Sequence, residues 1–173
     1  MVTKTEIRGY VPIDNQLQEN RLQPLILRAQ RENLRDLLGD ALYYDLFDNV
    51  TDINNIASPY DDLVNGVAYE YDGDAIQYYG LKPFISFQVA TYLLEENDLF
   101  IGNTGNHAYN SDPQDLRERM SGSQKRLIVS NYQSSSVQYQ NDIIKFLNEK
   151  DSDYPLWEGD SQKPITQYSS III

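Results

Sequence analysis

The chain has no cysteine, which rules out disulfide staples, thiolate metal sites and cysteine nucleophiles together. Histidine occurs once, at His107. A Ser-His-Asp relay has only that one place to be built, and the surrounding Gly/Asn-rich sequence carries no nucleophile elbow. His107 therefore reads as a surface-loop residue. Positive charge is scarce: 14 Lys and Arg stand against 26 Asp and Glu, for a net charge of −12. Such a chain repels polyanions, which argues against a nucleic-acid reader and against an anionic membrane surface. Long apolar runs are missing too, and the uncharged, mostly apolar stretch from Pro83 to Leu94 falls short of a membrane span. After Met1 the sequence Val2-Thr3-Lys4-Thr5-Glu6 leads to Gly9 and Pro12 without an apolar leader. The expectation is a protein that stays in the compartment where it is made.

The uncharged stretch is the strongest positive signal. Phe84, Ile85, Phe87, Val89, Ala90, Tyr92, Leu93 and Leu94 point in nearly every direction around a 3.6-residue repeat, and a helix apolar all round is buried all round. Gly80 starts it, Pro83 sits where a missing N–H costs nothing, and Glu95-Glu96-Asn97 ends it in polar sequence. The other helices are expected to pack against this one.

Residues 1–19 read as an irregular N-terminal arm. A helix is predicted from Asn20 to Leu38, with Leu22, Leu25, Ile26 and Ala29 on one face and Pro24 confined to its first turn. Gly39 closes it, and Asp40 is placed to cap a second helix, Ala41 to Asn49, forming an αα-hairpin. Pro59 to Asn65 gives a short helix ended by Gly66. Residues 67–79 read as two strands around an Asp72-Gly73-Asp74 turn. A polar loop runs from Asp98 to Asp112, and a long helix follows from Pro113 to about Glu149, with weak points at Ser121-Gly122-Ser123 and Ser134-Ser135-Ser136. Residues 151–173 lose all periodicity. The expected fold is mainly α: a small helical bundle, residues 20–150, around a buried central helix, with a short β-hairpin and extended terminal arms. At 173 residues this is one domain.

Chemistry is sought without success. Asp72 and Asp74 lack the further oxygens of a calcium loop. Gly102 and Gly105 lack the Lys-Ser/Thr ending of a phosphate loop. Glu95 and Glu96 are adjacent on a helix and face different ways. No catalytic residue, cofactor or metal site is expected. Assembly is the better reading, because no active site is found and each end reads as an arm; the 14 tyrosines, which combine contact area with a polar tip, suit either protein interfaces or the half-buried edge of the core. The candidate interface residues are Tyr69, Tyr71, Tyr78 and Tyr79 on the hairpin, with Trp157, Ile171, Ile172 and Ile173 in the tail. Exposed in a monomer, the three isoleucines are an aggregation hazard, so the tail reads as an arm that adds to a partner or folds back on its own domain.

The order of local motifs carries a resemblance. Leu37-Leu38-Gly39-Asp40-Ala41-Leu42-Tyr43-Tyr44-Asp45-Leu46, Tyr60-Asp61-Asp62-Leu63-Val64-Asn65-Gly66-Val67-Ala68-Tyr69, Gly80-Leu81-Lys82-Pro83 and Asn103-Thr104-Gly105 together resemble the head-tail connector (adaptor, or head-completion) proteins of tailed bacteriophages, notably those of crAss-like and related phages of Bacteroidetes. The likeness covers roughly residues 22 to 150. It implies a homo-oligomeric ring, commonly of about twelve copies, docked on the portal protein at one capsid vertex. The next neck or tail protein binds its far side, and genomic DNA passes through without sequence-specific binding. It also implies a virion protein made in the host bacterial cytoplasm, with no membrane partner and no catalytic residues. An acidic wall suits a conduit that must not hold passing DNA. The alternatives are another neck or tail-completion protein, or a cytoplasmic protein-binding module using the tyrosine-rich hairpin.

Overall fold

The computed structural model describes residues 2–13, 17–50, 55–96, 99–102, 105–108 and 122–159. The protein is mainly helical, a bundle built around α6 (Leu81–Glu96). Leu81, Ile85, Val89 and Leu94 are fully enclosed, and Phe84, Ala90 and Leu93 nearly so, so the helix is buried on every side as its sequence requires. Two of its buried hydroxyls are satisfied within the helix, where Ser86 donates to the Lys82 carbonyl at 2.7 Å and Thr91 to that of Phe87 at 3.0 Å, and the Tyr92 hydroxyl donates to Asn33 Oδ1 at 2.7 Å. Burying one such Leu or Phe side chain contributes about 1.5–3 kcal/mol. That makes α6 the largest single source of cohesion in the fold. Among the described residues no helix is long and apolar enough to cross a membrane.

Residues 4–10 form a helix, α1 (Lys4–Tyr10), where irregular chain is expected. The Glu6 N–H donates to the Thr3 hydroxyl at 3.3 Å, and the Glu6 carboxylate accepts from the Thr3 N–H at 2.8 Å, closing a capping box. Seven residues are too few to hold a helix alone. Tertiary contact decides: Val2, Ile7, Val11, Ile13 and Leu17 are buried, α1 lies against α6, and Lys82 Nζ meets Glu6 Oε1 at 2.6 Å. The N-terminal arm is thus corrected to a docked helix.

The predicted Asn20–Leu38 helix is present in three parts: α2 (Glu19–Arg28), a π-helical turn (Ala29–Leu34) and α3 (Arg35–Leu38). Because α2 begins at Glu19, Pro24 stands inside it instead of in the first turn. The π turn holds Gln30 inward at 5% exposure, and its Nε2 has no hydrogen-bond partner among the described residues. Gly39, at φ 78°, makes the corner into α4 (Asp40–Asn49). Asp40 is the first helical residue of α4, not its cap, and accepts two hydrogen bonds from the Arg35 guanidinium at 2.7 and 3.0 Å.

After α5 (Tyr60–Asn65) come β1 (Ala68–Tyr71) and β2 (Asp74–Gln77), antiparallel around Asp72-Gly73. Both turn residues have positive φ, 53° and 84°, the geometry of a two-residue hairpin. The ladder extends to Val67 and Tyr78, whose N–H and carbonyl groups exchange bonds of 2.9 and 3.0 Å. Here the chain crosses itself with no room for side chains. A Cβ on Gly66 would lie 2.4 Å from the Tyr78 carbonyl oxygen, and one on Gly80 the same distance from that of Val64. This clasp delivers the chain from the hairpin straight into α6.

Within the expected polar loop, β3 (Leu99–Gly102) and β4 (Gly105–Ala108) pair as a second hairpin. Leu99-Phe100-Ile101 is a run of strand formers that the surrounding Asn and Gly mask in the sequence. The last helix, α7 (Gly122–Glu149), runs unbroken through the serine cluster. Ser136 is buried there and accepts from Gln88 Nε2 at 2.9 Å. Since Glu95 lies by Lys125 and Gln88 by Ser136, α7 runs antiparallel to α6 along the whole of it.

Candidate interaction surface

The hairpin tyrosines differ in burial. The two-residue turn sets Tyr69 opposite Ile76 and brings Val67 beside Tyr78, so these side chains share the face turned to α7. Tyr78 stacks on Phe146 at 4.1 Å with the rings 10° apart, and its hydroxyl donates to the Leu63 carbonyl at 3.0 Å. Tyr69 meets the same ring edge-on at 5.3 Å. At 2% and 7% exposure these two residues belong to the protein's own core and cannot anchor a neighbouring molecule. This corrects the sequence expectation for both. Burial drives the Tyr78 phenol well above its ordinary range and raises that of Tyr69. Strand alternation carried the signal, because period two places Tyr69 inward once the turn fixes the register.

Tyr71 and Tyr79 stay at the surface, at 36% and 55% exposure. Lys145 Nζ lies 3.7 Å from the centre of the Tyr71 ring. Tyr79 stands edge-on to Tyr139 at 6.5 Å, and Tyr139 stacks on Phe87 at 5.7 Å. Burial raises the Tyr139 phenol, and the neighbouring Tyr10 and Tyr79 raise it further. Tyr10, at the end of α1, thereby joins Tyr79 and Tyr139 in one tyrosine patch. The sequence reading missed Tyr10 because it saw no helix there. It also missed Tyr44, more than half exposed on α4 with the Arg35 guanidinium 5.5 Å from its ring centre.

The start of the tail folds back. Tyr154 is buried, its hydroxyl donates to the Pro59 carbonyl at 2.6 Å, and its ring lies 5.9 Å from Phe146. Burial pushes its phenol far up, and the nearby Asp62 and Asp153 add to the shift. Trp157 packs half-buried against the core and donates from Nε1 to Asn148 Oδ1 at 2.8 Å. Ile171, Ile172 and Ile173 lie outside the described residues. The backbone of His107 belongs to β4. Among the described residues no group of three His, Cys, Asp or Glu side chains could hold a metal ion.

A helical bundle wrapped on α6, with two short hairpins and tyrosine-rich surfaces, defines the class of the protein. Residues 34–166 match DUF6712, a family of unknown function, and the chain belongs to that family. No curated protein and no solved structure matches it.

Proposed function

We propose that this protein is a structural component of a tailed-phage virion: a ring-forming head-tail connector, or adaptor, that docks on the portal, lines the DNA channel and joins the capsid to the neck or tail. The reading is carried by one observation. The motif order resembling that family falls on the corners of the fold, with Gly39 turning α3 into α4 and Gly66 crossing Gly80 to launch α6. Motifs that fix corners fix the shape of a block, and a ring needs identical rigid blocks. The net charge of −12 supports a conduit wall that DNA slides past. The protein is then made in the host cytoplasm and resides at the portal vertex of the particle. The reading assigns it no reaction.

Cryo-electron microscopy of intact particles tests this. Density for a ring of copies between portal and neck supports the reading. A protein that is monomeric at all concentrations and missing from purified virions overturns it. Co-purification with the portal protein separates an adaptor from another neck or tail-completion protein. A second reading, a cytoplasmic binding module, is favoured by the exposed Tyr71 and Tyr79, and it predicts the stable monomer.

A further inference from the structure

Charge is distributed very unevenly along this chain. Between Arg35 and Lys82 there is no Lys or Arg, while ten Asp and Glu occupy that segment. Residues 1–35, by contrast, carry six basic and four acidic side chains, so the acidity of the whole protein comes from elsewhere. The fold turns this sequence asymmetry into a surface asymmetry. On α2 and the π turn, Leu22, Leu25, Ile26 and Ala29 face the core. The opposite side presents Arg21, Leu27, Arg28 and Arg31 to solvent. Arg28 is held by Glu32 at 2.9 Å and lies over the Tyr92 ring at 4.1 Å. Arg21 and Arg31 are exposed and form no ion pair with a described residue. Leu27 sits among them at 39% exposure. The acidic segment forms α4, α5 and the hairpin. Tyr60 at the head of α5 donates to Asp45 on α4, which brings α5 to the end of α4 where Asp48 is exposed; Asp61 and Asp62 there are half-buried, and Asp153, just past α7, shares the surroundings of Tyr154 with Asp62.

Resting on the ring reading above, we propose that copies of this chain join head to tail, the Arg21–Arg31 stripe of one copy docking on the Asp48–Asp62 face of the next. Three arguments carry it. A closed ring of more than two copies needs two different, complementary faces on each copy. Molecules that each carry −12 repel one another at long range, and a contact that brings opposite charges together locally offsets that repulsion. On α2 and the π turn Arg21, Arg28 and Arg31 offer exposed positive charge, and Leu27 supplies an apolar centre of the kind interfaces enclose. Arginine also suits the role, because its planar fork binds carboxylates in pairs. Duplex DNA is the competing occupant of such a stripe. It is disfavoured because Glu32 and Asp36 interrupt the arginines and the acidic segment begins one turn away.

The experiment is a charge swap in the full chain. Arg21→Glu with Arg31→Glu reverses one face, and Asp48→Lys with Asp62→Lys reverses the other. Association is followed by sedimentation velocity and native mass spectrometry at low salt. The wild type is expected to form closed oligomers that weaken as salt rises. Each double variant alone is expected to associate about a hundredfold or more less tightly, since like charges then face each other. Mixing the two variants restores opposite signs at every contact and is expected to recover the oligomer, which a merely misfolded variant could not do. Wild-type oligomers with unaffected variants would overturn this contact and leave the ring reading standing. A wild type that stays monomeric at every concentration overturns this contact, and its absence from purified virions as well overturns the ring reading. Loss of binding to a short duplex DNA on reversal of Arg21 and Arg31, with assembly intact, would assign the stripe to DNA and overturn the contact.

Discussion

At the scale of single residues, the least comfortable side chain is Gln30. Its Nε2 is buried in the π turn without a partner, and an unsatisfied buried amide costs about 1–3 kcal/mol. Gln30→Leu keeps a similar volume and removes the unpaired donor. It is expected to raise stability by about 1 kcal/mol, read as a higher urea midpoint. Glu6 behaves differently. Burial would raise its pKa, but the bonds from Lys82 and Thr3 outweigh burial and hold it below its ordinary value of 4.5. A carboxyl lowered in the folded state binds fewer protons there than in the unfolded chain. Its stabilising effect is therefore complete above pH 4.5 and fades as the pH falls through the folded-state value. Glu6→Gln is expected to flatten the acid limb of the stability profile below about pH 4.5, as measured by urea unfolding at several pH values. An unchanged limb would mean that the Lys82 bridge contributes nothing.

At the scale of elements, the clasp between the end of α5 and the start of α6 is the most intolerant feature. Both glycines have positive φ, and a methyl on either would strike a carbonyl oxygen. Gly66→Ala and Gly80→Ala are each expected to destabilise the fold by about 1–3 kcal/mol, by thermal melting, whereas alanine at the exposed, uncrowded Gly122 should be nearly silent. The elements legible in the sequence are those whose signal is local. The uncharged run gave α6, glycine gave the corner at Gly39, and Asp72-Gly73 gave the first hairpin. Those that were missed depend on distant partners. α1 exists because α6 covers Ile7, and β3–β4 lies inside a stretch whose composition reads as loop. The inward turn of Tyr69 and Tyr78 depends on register, and composition alone cannot give register. The face of α2 that carries Arg21 and Arg31 became visible only once its opposite face was seen to be buried.

At the scale of the whole molecule, the bundle from α1 to Trp157 is one connected core, with Tyr154 and Trp157 forming its last attachments. Truncation after Asp160 removes none of these. The shortened chain is expected to keep its helical circular dichroism and a single cooperative melt while associating more weakly than the full chain. Unfolding on truncation would show that the final residues belong to the core.

Tyr154 also determines where the backbone departs. Its bond to Pro59 ties the chain just past α7 to the head of α5, close to Asp62. If an arginine ridge from an adjoining subunit seats beside Asp62, Tyr154 is the rivet beneath that joint, holding the end of α7 and the head of α5 as one piece.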